Sequence, residues 1–358
     1  MTVSPFDHPF LSGLVGDDEI AALFSAEAEL DCMIAFEAAL AEAEAAEDVI
    51  PADAGAVIAR KLPDVEFDMD ALGAATARDG VVVPELVRQL RDAVGAPHGI
   101  HVHFGATSQD VIDTGLALRL KRLAAVLGDR LDTLDADLDA LDLASGTTPV
   151  MAHTRMQAAI PVTAARKIRS WRDPLLRHRE RLNAVVDDVA LLTLGGAAGT
   201  LDRLGPQAIP VGRRMAEALG LSVSEKPRHS ERDGIVEFAS WLSLVTGSLG
   251  KMGQDIALAA QSEVGEIRLA TGGGSSAMPH KVNPVGAEVL VTLARFNATL
   301  VSGMHHALVH ENERSGAAWT LEWMLLPQMA AATGAALNTA LRLIDGMEFV
   351  ASGGSSRR

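Results

Sequence analysis

The sequence predicts an all-α protein built around a bundle of long helices, and three observations carry that expectation. Leu116, Leu120, Leu123, Leu127, Leu131, Leu134, Leu138 and Leu141 recur at steps of three and four, the spacing that lines one face of a helix. Ile235, Phe238, Leu242, Val245, Leu249, Met252, Ile256 and Ala259 keep the same period. Alternating β-branched runs are nearly absent, Val81–Val83 being the only short candidate strand. Each stripe implies a helix of roughly 30 residues, against an average of ~11–12, and helices that long cover one another in a bundle.

The elements follow in order. Residues 1–105 carry shorter helical patterns broken at Pro51, Pro63, Pro84 and Pro97, and read as a smaller N-terminal helical domain. Thr107 is placed to cap the first long helix, with Asp110 at its third position. Further long helices are expected over 157–188, after the junction Met151–Met156, over 284–309, after the loop holding Pro279 and Pro284, and over 317–345. Residues 106–345 thus form the central long-helix bundle, carrying oligomerisation and the active site. Residues 346–358, Gly/Ser-rich from Ser352, are expected to be a flexible tail.

Composition narrows the function. Hydrophobic residues are 48% and charged residues 22% of 358, enough apolar surface for a large core and too much for disorder. A formal charge of -16 argues against nucleic acid or an anionic membrane as partner. An anionic substrate would then need locally concentrated positive charge. The lone Cys32 excludes an intrachain disulfide and a multi-cysteine zinc site. No ligand cluster has metal spacing, so neither a metal nor an organic cofactor is expected. No basic-then-apolar leader and no apolar run near ~20 residues is visible, so the expected location is cytoplasmic.

Three segments do not read as core. In His101–Asp110, Thr107, Ser108 and Gln109 stand at a helix N-terminus, where free N–H groups and the dipole favour an anion; plain capping is the alternative. In Met151–Pro161, His153, Thr154, Arg155 and Gln157 precede a helix. Arg155 there can hold a carboxylate through a bidentate contact, or the segment is a surface turn. In Gly272–Pro284, three glycines meet Ser275 and Ser276, then Lys281 and Asn283 between two prolines. Such a segment can close over a ligand or serve as a linker. It lacks the Gly-Lys-Ser/Thr ending of a phosphate loop.

The stretch Gly274-Ser-Ser-Ala-Met-Pro-His-Lys-Val-Asn-Pro284 resembles the GSSxMPxKxNP signature of the fumarase/aspartase superfamily. Gly105–Asp110 and the Thr154/Gln157 region follow the order of two further segments of that superfamily, so the resemblance covers essentially the whole chain. It implies an all-α fold with long central helices and a homotetramer whose subunits share active sites. The C-terminal domain of longer relatives is expected to be truncated or absent, because the chain stops near the end of the bundle. It also implies addition or elimination across a C–C bond beside a carboxylate, on a small polycarboxylate substrate. Ser275 matches the residue that moves the proton alpha to that carboxylate. Thr107, Ser108, Thr154, Gln157, Ser276, Met278, Lys281 and Asn283 match positions that bind the substrate.

Where many members carry Thr-His in the second segment, this sequence has Thr154 followed by Arg155, which cannot donate a proton at working pH. His153, one place out of register, is a further candidate beside the matched residues. A reaction whose leaving group is itself a carboxylate needs little acid assistance. The resemblance is fullest to the branch that lactonises 3-carboxy-cis,cis-muconate, through Gly105–Gly115, Met151–Val162, Ala277–Glu288 and His310–Trp323. Arg155 suits that trianion. Arg314 is either a further carboxylate ligand or a solvated helix-end charge. Two other readings stay open here: an adenylosuccinate lyase-like or other lyase of the superfamily that releases fumarate, and a non-catalytic structural or binding protein on the same scaffold.

Overall fold

The computed structural model describes residues 3–270, 272–274, 277–278 and 281–351. Six helices come first: α1 (Ser12–Val15), α2 (Asp18–Ala22), α3 (Ala26–Ala46), α4 (Ala52–Lys61), α5 (Met69–Asp79) and α6 (Val83–Val94). Then come α7 (Ser108–Ser145), a hairpin of β1 (Pro149–Thr154) and β2 (Gln157–Thr163), and α8 (Ala164–Val189). Short strands β3 (Leu191–Leu192) and β4 (Ser222–Val223) flank α9 (Ala208–Leu219). The chain continues through α10 (Asp233–Ala259), β5 (Ile267–Arg268), α11 (Val285–His306), α12 (Gly316–Ile344) and β6 (Glu348–Phe349).

Both apolar stripes lie where their spacing puts them. No leucine of the α7 stripe is more than 7% exposed, and in α10 Phe238, Leu242, Val245, Leu249, Met252 and Ile256 are fully buried. Burying one such side chain contributes roughly 1.5–3 kcal/mol, so these faces hold α7, α8, α10, α11 and α12 together in one continuous core. The direction of each helix follows from end contacts. Asp113 near the start of α7 meets Arg232 just before α10 and Trp319 at the start of α12, so these three helices run the same way. The loops force α8 and α11 to run back between them. A second apolar cluster joins α3, α4 and α6 to the start of α7, and also takes in Leu192, Leu204, Val211, Met215 and Trp319.

Three expectations are corrected. Val81–Val83 is not a strand: Val83 opens α6, with Pro84 in the first turn, where a missing N–H costs nothing. The helix expected from 157 starts at Ala164, and Gln157–Thr163 pairs antiparallel with Pro149–Thr154. Pro161 has no N–H for a helical bond, and Arg155 and Met156, at φ 49° and 66°, form a two-residue hairpin turn with both centres left-handed. Within the expected flexible tail 346–358, Glu348–Phe349 pair with Ile267–Arg268 and Phe349 stacks on Trp171 in the core. Burial of that ring ties the segment down; residues 352–358 lie outside the described residues.

Among the described residues α11 alone is long and apolar enough by composition to cross a membrane. It carries Glu288, Arg295 and the buried Asn297, whose amide donates to Thr333 Oγ1 (3.0 Å) and the Met329 carbonyl of α12.

Candidate active site

The start of α7 is tied down by one carboxylate. Asp110 is fully buried and accepts the N–H groups of Thr107 (2.9 Å), Gly195 (2.8 Å) and Gly196 (2.9 Å), with His229 Nε2 at 2.7 Å. The predicted capping partner therefore also clamps the 193–196 loop beside the helix. Gly105 precedes this turn at φ 74°, and a Cβ there would meet Leu204 Cδ2 at 2.9 Å, so only glycine fits. Thr107 and Ser108 remain half-buried, at the positive end of a 38-residue helix.

Arg314 arrives at this helix end from far along the chain. Its Nε donates to Gln109 Oε1 at 2.8 Å and its Nη2 approaches the Ala197 carbonyl at 3.4 Å. Behind Gln109 lies a buried ionic network. Gln109 Nε2 donates to Asp113 Oδ2 (3.0 Å) and to the His229 carbonyl (2.7 Å). Asp113 also accepts from Arg232 (2.6 Å) and from Trp319 Nε1 (3.1 Å). The other side of the Arg232 guanidinium pairs bidentately with Glu322, at 2.9 and 2.6 Å. Burial opposes the Arg232 charge, but Asp113 and Glu322 outweigh it and hold the guanidinium more firmly protonated than a free one. His310, its side chain fully buried, stands 3.5 Å from Glu322 Oε1, on the same segment as Arg314.

A second polar cluster underlies the loop. Glu37 and Glu44 of α3 are both buried, and His103 Nδ1 lies 2.6 Å from Glu37 Oε1. Burial alone would lower the His103 pKa, but the Glu37 carboxylate more than offsets this and the net shift is upward. Burial, then the Glu37 charge, raise Glu44 to about 9 against the pull of Arg203.

The other predicted residues that the structure describes lie at the opposite end of the bundle. His153, Thr154, Arg155 and Gln157 sit exposed around the hairpin tip. The base of the hairpin is anchored where the Met151 N–H donates to Glu266 Oε1 at 2.5 Å. Asn283 closes onto Gly273 through paired backbone hydrogen bonds of 2.8 and 2.9 Å, and its amide reaches the Gly274 carbonyl at 3.3 Å. Side chains at Gly272 and Gly273 would strike Val282 and Val285, so the glycines permit this close approach. Lys281 and Met278 are exposed; Ser275 and Ser276 lie outside the described residues.

With 38 residues, α7 is about 57 Å long. Thr107, Ser108 and Arg314 thus gather at one end, and Thr154, Arg155, Gln157, Lys281 and Asn283 at the other. No single chain brings the two groups together. Sequence reading missed Gln109 as a tether, and the Asp113, Arg232, Glu322 and His310 network. The usable signal was Asp113 one turn after Gln109, two polar residues on the face of α7 that the leucine stripe buries.

An up-and-down bundle of long helices, with polar segments at its ends and a small helical unit before it, is the architecture of the fumarase/aspartase type of enzyme. The chain belongs to the Lyase family, whose model matches residues 15–300. It is 43% identical over 333 residues to a 3-carboxy-cis,cis-muconate cycloisomerase of Pseudomonas aeruginosa, covering 91% of this chain and 72% of that protein. A second cycloisomerase of that name, from Pseudomonas putida, is 42% identical over 92% of this chain and 80% of its own. Among solved structures, the 3-carboxy-cis,cis-muconate lactonizing enzyme from Pseudomonas putida matches with a TM-score of 0.90 and 38% identity, covering 96% and 78% of the two chains.

Proposed function

We infer that this enzyme is a cycloisomerase that lactonises 3-carboxy-cis,cis-muconate to 4-carboxymuconolactone, a step of protocatechuate breakdown. A substrate carboxylate oxygen adds to the alkene, forming the C–O bond, and the alkene electron pair moves onto the carbon alpha to a second carboxylate. That carbanion is held as its aci-carboxylate, and the Ser275 hydroxyl supplies the proton that completes the product. A serine fit for this needs backbone N–H groups and a nearby cation to carry its alkoxide, which Lys281 supplies. Thr107, Ser108, Thr154, Arg155, Gln157, Ser276, Met278, Lys281, Asn283 and Arg314 bind the trianion, with His153 beside them.

The observation that carries this reading is the gathering of Thr107, Ser108 and Arg314 at one helix N-terminus, in a chain akin to muconate cycloisomerases over most of its length. We place the complete site between subunits of a homotetramer, in which the end of one bundle meets the opposite end of another. Support comes from apolar surface with nothing over it in one chain. Only 28% of the most apolar stretch of α11 is buried. Leu244, Met324, Met156 and Ile160 are exposed on the bundle and the hairpin. A cytoplasmic setting fits a catabolic enzyme with a buried, reduced Cys32.

The test is loss of muconate ultraviolet absorbance on adding purified protein to 3-carboxy-cis,cis-muconate. Ser275→Ala should nearly abolish kcat with an unchanged far-UV spectrum. No turnover by the wild type, with fumarate released from adenylosuccinate instead, refutes the assignment. Substantial activity in Ser275→Ala removes Ser275 from the mechanism.

A further inference from the structure

We propose that Gln109 is the positioning residue for Arg314: a neutral tether that aims the guanidinium at the substrate without cancelling its charge. The proposal rests on the reading of Arg314 as a carboxylate ligand.

The geometry of Gln109 leaves one orientation. Its side chain is fully buried, and one end meets two groups that only accept: the His229 carbonyl at 2.7 Å and Asp113 Oδ2 at 3.0 Å. Asp113 is a carboxylate paired with Arg232, so it offers no proton. The NH2 of Gln109 must face inward, both its hydrogens used, and Oε1 must face outward. That oxygen takes the Arg314 Nε–H at 2.8 Å. The arrangement cannot flip, because a flipped amide would press its oxygen against two acceptors in a buried site. Asp113 itself is held by Arg232, which Glu322 holds in turn. Rigidity therefore passes from the bundle core to the guanidinium.

Charge explains why a carboxamide stands here. Buried and half-buried arginines of this chain, such as Arg119, Arg130 and Arg232, are paired with carboxylates. Among the described residues no carboxylate lies within ion-pairing distance of Arg314; its two partners are the Gln109 carboxamide and the Ala197 carbonyl. Both are neutral acceptors, so they fix the plane of the fork and leave its full charge for an incoming anion. A glutamate at 109 would neutralise that charge and repel Asp113.

The experiment is a double-mutant cycle on kcat and KM for 3-carboxy-cis,cis-muconate, using wild type, Gln109→Met, Arg314→Met and the double variant. Gln109→Met should raise KM at least tenfold with kcat within threefold, and should add less than twofold to KM on the Arg314→Met background. A KM within twofold of wild type overturns the proposal. So does an equal effect on both backgrounds, which would mean that Gln109 acts independently of Arg314. If Gln109→Met does not fold, Gln109→Asn serves, with the same expectation: it keeps a carboxamide but is one methylene too short to span from Asp113 to Arg314. If the wild type does not turn over the muconate, the proposed function fails. The cycle is then read from the calorimetric Kd for citrate, a tricarboxylate, where at least tenfold weakening that depends on Arg314 supports the tether and an Arg314-independent effect refutes it.

Discussion

Replacing Glu44 by Gln should stabilise this protein at neutral pH. Glu44 is 0% exposed, and neither carboxyl oxygen has a hydrogen-bond partner among the described residues. Burial, then the Glu37 charge, raise its acid from an ordinary 4.5 to about 9. The unfolded chain ionises it near 4.5, so folding at pH 7 must put a proton back. That costs 1.36 kcal/mol per pH unit over about 2.5 units, about 3 kcal/mol. The folded state holds the extra proton between pH 4.5 and about 9, so stability falls as pH rises through that window and is unaffected below it. Glutamine is neutral in both states and lacks the penalty. Urea unfolding should therefore show Glu44→Gln more stable by roughly 2–3 kcal/mol at pH 7, with the gain gone at pH 4. A gain independent of pH, or a loss at pH 7, refutes the reasoning.

Other perturbations read other parts of the molecule. Arg232→Met strands Asp113 and Glu322 in the core and should cost about 3–5 kcal/mol in urea unfolding; a loss under 1 kcal/mol would mean the pairs are solvated. Burial, then Arg181 and Arg177, hold His178 down to about 4, so the folded protein keeps it neutral where the unfolded chain binds a proton. Stability should therefore drop as pH falls from 6.5 towards 4, by about 2 kcal/mol at pH 5, and His178→Gln should flatten that limb. An unchanged limb in the variant assigns the acid sensitivity elsewhere. Arg155→Lys keeps the charge but loses the planar fork, and should lower kcat/KM at least tenfold; no change would show that Arg155 makes no bidentate contact with the substrate.

Long-period information was legible in the sequence. A leucine stripe sustained from Leu116 to Leu141 is satisfied by one helix and one buried face, and α7 is that helix. The Thr107–Asp110 spacing announced its start. The hairpin was not legible. Ala158 and Ala159 are good helix formers, and the turn at Arg155–Met156 has no Gly or Asn to mark its left-handed backbone. What selects strand there is Pro161, together with the pairing of the buried Val150 with the half-buried Val162.

By itself the sequence determined the all-α architecture, the ordered segments that place the chain among the fumarase/aspartase enzymes, and the residue types its chemistry needs. These are local or periodic properties, and a helix reads them residue by residue. Only the tertiary structure decided which of those residues meet. Gln109 and Arg314 are far apart in the chain, as are Arg232 and Glu322, and nothing in residue spacing encodes such encounters. They arise because the helices alternate in direction, returning the 310–322 segment to the start of α7. The same alternation leaves the 153–157 and 281–283 groups at the far end, since one 38-residue helix cannot have both its ends in one place.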